Sequence, residues 1–222
     1  MDGPTIYDLA DENADMSDVE RLMTIYWALS QVLVFGVPGD VVELGCNAGL
    51  TSVYLRMLID EFDPSRALHV YDSFAGLPAT GPEDRYLREG ELAVSVEALD
   101  ANFRRRSLKR PVVHAGWFED TLPRGLPARV AFAYLDSDLY DSIHTSWVYL
   151  YPRLSPRAIV VVDDYCDRRF SRRAWDGLPA VKQACDAFLA DKPETLVALP
   201  GCGDLAMAYL RKAALPAGGW EV

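Results

Sequence analysis

The chain is poor in histidine, has no paired cysteines and is short of basic charge. His69, His114 and His144 are scattered over 222 residues and do not form a ligand set. His69 and His114 alternate within expected strands and read as half-buried structural residues, while His144 follows one turn into a helix and is a weak candidate auxiliary base. Cys46, Cys166, Cys185 and Cys202 include no Cys-x-x-Cys pair, which argues against a zinc or disulfide framework and for incidental thiols in a reducing compartment. No apolar run approaches the roughly 20 residues of a membrane span. The opening Met1-Asp2-Gly3-Pro4 carries no export signal, so a cytoplasmic location is expected. With 22 Lys and Arg against 33 Asp and Glu, the net charge is −11, which disfavours nucleic acid or an anionic membrane as partner. Half the residues are hydrophobic and a quarter charged, so residues 1–222 are expected to form one globular domain around a single core.

What the chain does have is acid at the ends of apolar runs. Val130–Leu135 leads into Asp136-Ser137-Asp138, and Ala158–Val162 leads into Asp163-Asp164. Each run reads as a buried strand, and adjacent parallel strands end on one sheet edge, where ligands bind. Four carboxylates gathered there repel one another, a cost that a shared cation relieves.

The remaining pattern alternates strands with helices. An amphipathic helix over 17–35 comes first, with Ser17 and Glu20 as a capping box and Val19, Leu22, Met23, Tyr26, Leu29 and Leu33 on its apolar face. A strand over Asp40–Leu44 runs into Gly45-Cys46-Asn47-Ala48-Gly49, and a helix continues to about Ile59. Ala67–Tyr71 is a strand tipped by Asp72. Ser95–Arg106 reads as a helix, Pro111–Ala115 as a strand, and the stretch around Val181, Cys185, Phe188 and Leu189 as a helix. Thr195–Leu199 and Leu205–Leu210 flank a turn and form a hairpin. Residues 75–94, rich in Gly and Pro, and residues 166–177, rich in Arg, read as long loops and candidate lids. The cluster Arg168, Arg169, Arg172 and Arg173 is either a solvated loop or an acceptor clamp. This order predicts a mostly parallel sheet covered by helices on both faces.

The turn after the first strand follows Glu-x-Gly-x-x-x-Gly rather than the Gly-x-Gly-x-x-Gly of dinucleotide enzymes. Gly45 and Gly49 permit close backbone approach to a ligand, and Asp72 stands where an acid can hold both ribose hydroxyls. A nucleoside without phosphates suits this turn, and a cationic one such as S-adenosylmethionine tolerates Glu43 nearby.

Five stretches, in order, carry a resemblance. They are Gly39-Asp40-Val41-Val42-Glu43-Leu44-Gly45, Tyr71-Asp72-Ser73-Phe74-Ala75-Gly76-Leu77-Pro78, Gly116-Trp117-Phe118-Glu119-Asp120-Thr121-Leu122-Pro123, Leu135-Asp136-Ser137-Asp138-Leu139-Tyr140-Asp141-Ser142 and Val162-Asp163-Asp164-Tyr165. Together they resemble the macrocin O-methyltransferase family of metal-dependent sugar methyltransferases, with Cys46-Asn47-Ala48 as a departure in the first turn. The resemblance implies a class I methyltransferase-like Rossmann fold, an α/β architecture with a seven-stranded, mostly parallel sheet and an antiparallel C-terminal hairpin strand. It also implies S-adenosylmethionine as methyl donor, Mg²⁺, a glycoside substrate and a homo-oligomer, for which the first helix is a candidate contact. Glu43, Gly45 and Asn47 would line the methionine side of the cofactor, with Gly49 closing the turn. Asp72 and Ser73 would hold the ribose, and Gly116, Trp117 and Phe118 would flank the adenine. Asp136, Asp163 and Asp164 would ligate the metal, Asp136 also facing the cofactor, and Asp138 would be the base.

The chemistry is consistent with that assignment. A sugar hydroxyl is a weak acid, and a bound divalent cation stabilises the developing alkoxide. Other readings are a catechol-type O-methyltransferase, an Asp-x-Asp glycosyltransferase built on Asp136-Ser137-Asp138, and a non-catalytic cofactor-binding module. The metal set of catechol enzymes usually ends Asp-Asn, unlike Asp163-Asp164 here.

Overall fold

Val130–Leu135 forms strand β4, and every one of its residues is buried. A strand this apolar needs cover on both faces, the condition of a central parallel strand between helical layers. The computed structural model describes residues 6–13 and 16–214. In chain order its elements are α1 (Ile6–Glu12), α2 (Val19–Val34), β1 (Asp40–Leu44), α3 (Leu50–Phe62), β2 (Leu68–Asp72), α4 (Val96–Arg105), β3 (Val112–Ala115), α5 (Phe118–Gly125) and β4. They continue with α6 (Tyr140–Leu150), β5 (Leu154–Asp163), α7 (Pro179–Leu189), β6 (Val197–Leu199) and β7 (Met207–Arg211).

The strands make one seven-stranded sheet in the order β3-β2-β1-β4-β5-β7-β6. Only β7 runs antiparallel to its neighbours, so the expected architecture, including the closing hairpin, is present. Strand order reverses between β1 and β4, the point where α/β sheets open a crevice at their carboxyl edge. Register decides what stands there. Leu44 pairs with Tyr71 on one side and Leu135 on the other, and Leu135 pairs with Val162. The next residues, Gly45, Asp72, Asp136 and Asp163, therefore share one edge.

The N-terminal region differs from expectation in three ways. The short helix α1 precedes the amphipathic one. The cap of α2 is Asp18, whose side chain accepts from the Arg21 backbone N–H, rather than Ser17. Glu20 closes no capping box. It reaches instead to the backbone N–H groups of Cys202 and Gly203, at 2.6 and 3.1 Å. Leu22, Leu29 and Leu33 of the expected α2 stripe are buried, but the buried face extends to one side of it. Ile25, Ala28 and Val32 are buried, whereas Met23 and Tyr26 are 59% and 48% exposed. Tyr26 rests edge-on against Phe62, outside the core.

Residues 75–94 carry no helix or strand, as expected, but they are tied down. Leu77 donates to Glu91 O and accepts from Gly90 N, closing the base of the loop at 2.9 Å each. Residues 166–177 are likewise irregular. Tyr86 of the first loop meets Trp175 of the second edge-on, with ring centroids 5.4 Å apart. Among the described residues no helix is long and apolar enough to cross a membrane.

Candidate active site

A cavity of 470 Å³ opens at the carboxyl edge between β1, β2, β4 and the base of loop 75–94. Its size falls within the roughly 300–1,000 Å³ of small-molecule sites. Gly45, Asn47, Asp72, Ser73, Gly116, Trp117, Phe118, Asp136 and Asp138 all line it. Its charged lining is acidic (Asp72, Glu119, Asp136, Asp138 and Asp141), and no Lys, Arg or His lines it among the described residues. Such a lining suits a cationic or neutral ligand and opposes a diphosphate.

Asp72 is held by its neighbours' backbones. Its Oδ2 accepts from Asn47 N and its Oδ1 from Phe74 N, both at 2.8 Å. Burial nevertheless pushes its pKa up, against the pull of these amide donors. A carboxylate has about four lone-pair sites, so the remaining ones can accept a ligand's hydroxyls. Both donors stand on left-handed backbone, with φ 44° at Asn47 and 55° at Phe74. The Asn47 side chain reaches on to Leu92 O at 3.2 Å, joining the first turn to the end of loop 75–94. Ser73 Oγ donates to Gly76 O at 2.6 Å, so it shapes the loop as well as lining the cavity.

Two expected cofactor residues are placed differently. Glu43 is 1% exposed, does not line the cavity, and accepts from Ser52 Oγ while its Oε1 has no partner. Burial pushes its pKa up to about 8. Gly49, at φ 75°, permits close approach not of a ligand but of Leu99, whose Cγ would lie 2.8 Å from an added Cβ. Gly45 lines the cavity, but its need for glycine comes from the chain itself. A Cβ there would fall 1.7 Å from Asp136 O. That contact, with Asp136 N donating to Leu44 O at 2.9 Å, seats the first acid cluster.

The acids converge, in a different trio from the one the resemblance implies. Asp136, Asp138 and Asp164 each offer a carboxylate oxygen, and these lie within 4.8 Å of one another. Burial and mutual repulsion push Asp136 and Asp164 well up, and Asp138 up to about 7. All-oxygen anionic donors fit a hard divalent cation, which would lift that repulsion. Asp138 and Asp164 have φ of 60° and 56°, left-handed conformations that hold both side chains at the edge. Asp163 does not join the trio. Its Oδ1 accepts from Arg21 Nε at 3.1 Å and its Oδ2 from the Tyr134 hydroxyl at 2.5 Å.

Other candidates lie elsewhere. His144 stacks on Tyr140 and meets Phe188 edge-on rather than lining the cavity. His69 and His114 stack together, with Nδ1 and Nε2 3.1 Å apart, on β2 and β3. In the arginine cluster, Arg168 pairs with Asp176, Arg169 with Asp167, and Arg173 donates to Cys202 O. Arg21, which donates to Asp163 and approaches Asp164, is the residue beside the acid cluster that sequence reasoning misses. Arg21 carried a signal, since it falls on the stripe of Ile25, Ala28 and Val32, where an arginine needs buried partners.

The chain is similar to known proteins over most of its length. Residues 7–188 match the family model described as Macrocin-O-methyltransferase (TylF). The 8-demethyl-8-(2,3-dimethoxy-alpha-L-rhamnosyl)-tetracenomycin-C 4'-O-methyltransferase of Streptomyces olivaceus is 40% identical over 161 residues, 68% of this chain and 62% of the relative. Mycinamicin III 3''-O-methyltransferase of Micromonospora griseorubida is 32% identical over 164 residues, 68% of this chain and 65% of the relative. Each match spans less than two thirds of the relative's own length. Among solved structures, the O-methyltransferase NovP superposes with a TM-score of 0.77 at 30% identity, covering 88% of this chain and 81% of that one. A calicheamicin methyltransferase shares the fold at a TM-score of 0.67 and 24% identity, covering 95% and 86%. By its sequence over these residues, the chain belongs to the macrocin-O-methyltransferase (TylF) family.

Proposed function

We propose that this chain is an S-adenosylmethionine-dependent O-methyltransferase that methylates a sugar hydroxyl of a glycosylated natural product, with Mg²⁺ at its acid cluster. The observation that carries this reading is the cavity itself: acidic, free of basic side chains among the described residues, and lined by Asp72, Asp136 and Asp138, the last two in a trio with Asp164. The family relation supports it, since one relative is named for O-methylation of a rhamnosyl-tetracenomycin and another for that of mycinamicin III.

When bound, the cofactor supplies an electrophilic methyl group and the cation supplies Lewis acidity. The chain's own residues do the rest. Asp72 would accept the ribose hydroxyls, while Trp117 and Phe118, which line the same cavity, would offer π-faces to the adenine. Asp136 and Asp164, common to the resemblance and to the trio, would hold the cation. Asp138 would take the proton of the acceptor hydroxyl, a role open to a carboxylate beside it once the cation has acidified that proton. The scaffold aligns acceptor oxygen and methyl group for in-line displacement, which contributes up to roughly 7–11 kcal/mol in ideal cases.

We read residues 1–222 as one methyltransferase domain, with loops 75–94 and 166–177 as lids over the glycoside. Free cysteines support a reducing, cytoplasmic setting. Exposed Met23, Tyr26 and Trp27 on α2 support a homo-oligomeric contact.

Mass spectrometry of a pooled glycoside library, incubated with methyl-labelled cofactor, tests the reading. Label on a sugar oxygen supports it. Label confined to catechols, or tight cofactor binding without transfer, rejects it.

A further inference from the structure

The two irregular loops meet in one aromatic pair, and each comes to it from a different side of the acid trio. In residues 75–94, Asp84 accepts from the backbone N–H of Tyr140 at 3.0 Å, which seats this loop two residues beyond Asp138. Tyr86 follows two residues after Asp84 and is 62% exposed. In residues 166–177, Trp175 N donates to Asp204 O at 2.8 Å. Asp204 stands close enough to Asp164 for its charge to help push that carboxyl's pKa up. The rings of Tyr86 and Trp175 meet edge-on with centroids 5.4 Å apart, so the pair spans from the Asp138 side of the cluster to the Asp164 side. Neither ring lines the 470 Å³ cavity, so the pair lies outside the space for the cofactor.

Trp175 is a fixed surface. Its ring lies across Gly177, where an added Cβ would fall within 2.5 Å of Cζ2, Cε2 and Cη2. Gly177 has no left-handed φ, so it is the indole rather than the backbone that calls for glycine there. The ring packs against the core yet stays partly open to solvent. An aromatic surface already held in place loses little freedom when a ligand settles on it.

We propose that Trp175 is a specificity-determining residue that carries the C–H face of the acceptor sugar, with Tyr86 as the residue that positions its ring. This rests on reading the protein as a sugar O-methyltransferase. A pyranose carries hydroxyls around its rim and C–H bonds on its faces, and the negative face of an aromatic ring attracts those C–H bonds. Carboxylates hold hydroxyls, but any hydroxyl can satisfy them. A flat apolar surface beside them fixes which face of the sugar lies down, and so which hydroxyl reaches Asp138.

The pooled glycoside library with methyl-labelled cofactor reads this as a distribution, since label among members kept well below saturation follows kcat/KM. Trp175→Leu, which keeps apolar bulk without a π-face, should lose label on the preferred glycoside by about tenfold and flatten the distribution. The loss should fall on the KM of that glycoside, while S-adenosylmethionine affinity by calorimetry stays at the wild-type value. Trp175→Phe, which restores a face, should recover most of the preference. A wild-type distribution in Trp175→Leu, or equal loss in Trp175→Leu and Trp175→Phe, overturns the proposal. Should the Trp175 variants fail to fold, Tyr86→Ala and Gly177→Ala decide. The first removes the edge-on contact and the second displaces the indole, so both should raise glycoside KM without weakening cofactor binding. Wild-type KM in both overturns the proposal. A wild type that labels no sugar rejects the underlying function, a different result from a wild type that labels and a Trp175→Leu that keeps its pattern.

Discussion

Asp84, in the middle of loop 75–94, accepts a hydrogen bond from the backbone N–H of Tyr140 at 3.0 Å. Helix α6 begins at Tyr140, and its own cap residue, Leu139, has no side chain able to serve. The loop thus supplies the cap to a helix that starts two residues after Asp138. The other Asp84 oxygen accepts from Gly81 N at 2.9 Å, fixing the turn that presents it. Asp84→Ala should cost about 1 kcal/mol of stability, the usual value of a lost cap. It should also free the loop, visible as faster proteolysis between residues 75 and 94 and a raised KM. Asp84→Asn, which keeps an acceptor, should lie between. Equal KM values in all three proteins would show that the loop does not govern access.

Glu43 gives a pH dependence of stability with a definite sign. Its pKa rises from 4.5 in the unfolded chain to about 8 in the buried site. Between these values the folded state holds a proton that the unfolded state has lost. Stability therefore falls as pH rises through that window, by up to about 1.4 kcal/mol per pH unit. Glu43→Gln removes the linkage. Thermal melts should show Glu43→Gln gaining on wild type between pH 5 and pH 8, and a constant difference would contradict a buried neutral Glu43.

Asp72 is expected to govern cofactor affinity. Losing charge-assisted hydrogen bonds costs about 2 kcal/mol, roughly thirtyfold in Kd. Calorimetry on Asp72→Ala should show weaker S-adenosylmethionine binding of that order. Asp72→Asn keeps one oxygen acceptor and should lose less.

Chelation tests the chemistry. EDTA should abolish methyl transfer and added Mg²⁺ should restore it, whereas full turnover in chelator would reject a metal-assisted mechanism. Asp138→Asn should lose rate by about 10²-fold or more while cofactor binding persists. Asp136→Ala should lose ion binding and rate together.

Much of this was legible because strand ends advertise themselves. An unbroken apolar run closed by Asp, at Leu135-Asp136 and Val162-Asp163, fixes both the strand and the edge its acids occupy. Loop 75–94 was legible from its glycines and prolines, yet its anchor was not, since Asp84 and Tyr140 lie 56 residues apart. Met23 and Tyr26 fit the apolar period of α2 yet stand exposed, because apolar side chains can also serve an exposed helix face. Partner choice among neighbouring carboxylates was illegible for a similar reason. Asp163 and Asp164 are adjacent in sequence, and only the folded position of Arg21 and Tyr134 separates their roles.

Parallel pairing of β4 with β5 has a further consequence. Amides in the middle of such a sheet should exchange with deuterium only on global opening, whereas those of 75–94 and 166–177 should exchange through local breathing. The carboxylates at the sheet edge are thereby decoupled from residues 166–177, whereas residues 75–94 stay tied to them through Asp84 and Tyr140. Swapping residues 166–177 for those of a homologue should redirect substrate choice and leave the transfer machinery intact, whereas swapping 75–94 should also weaken cofactor binding.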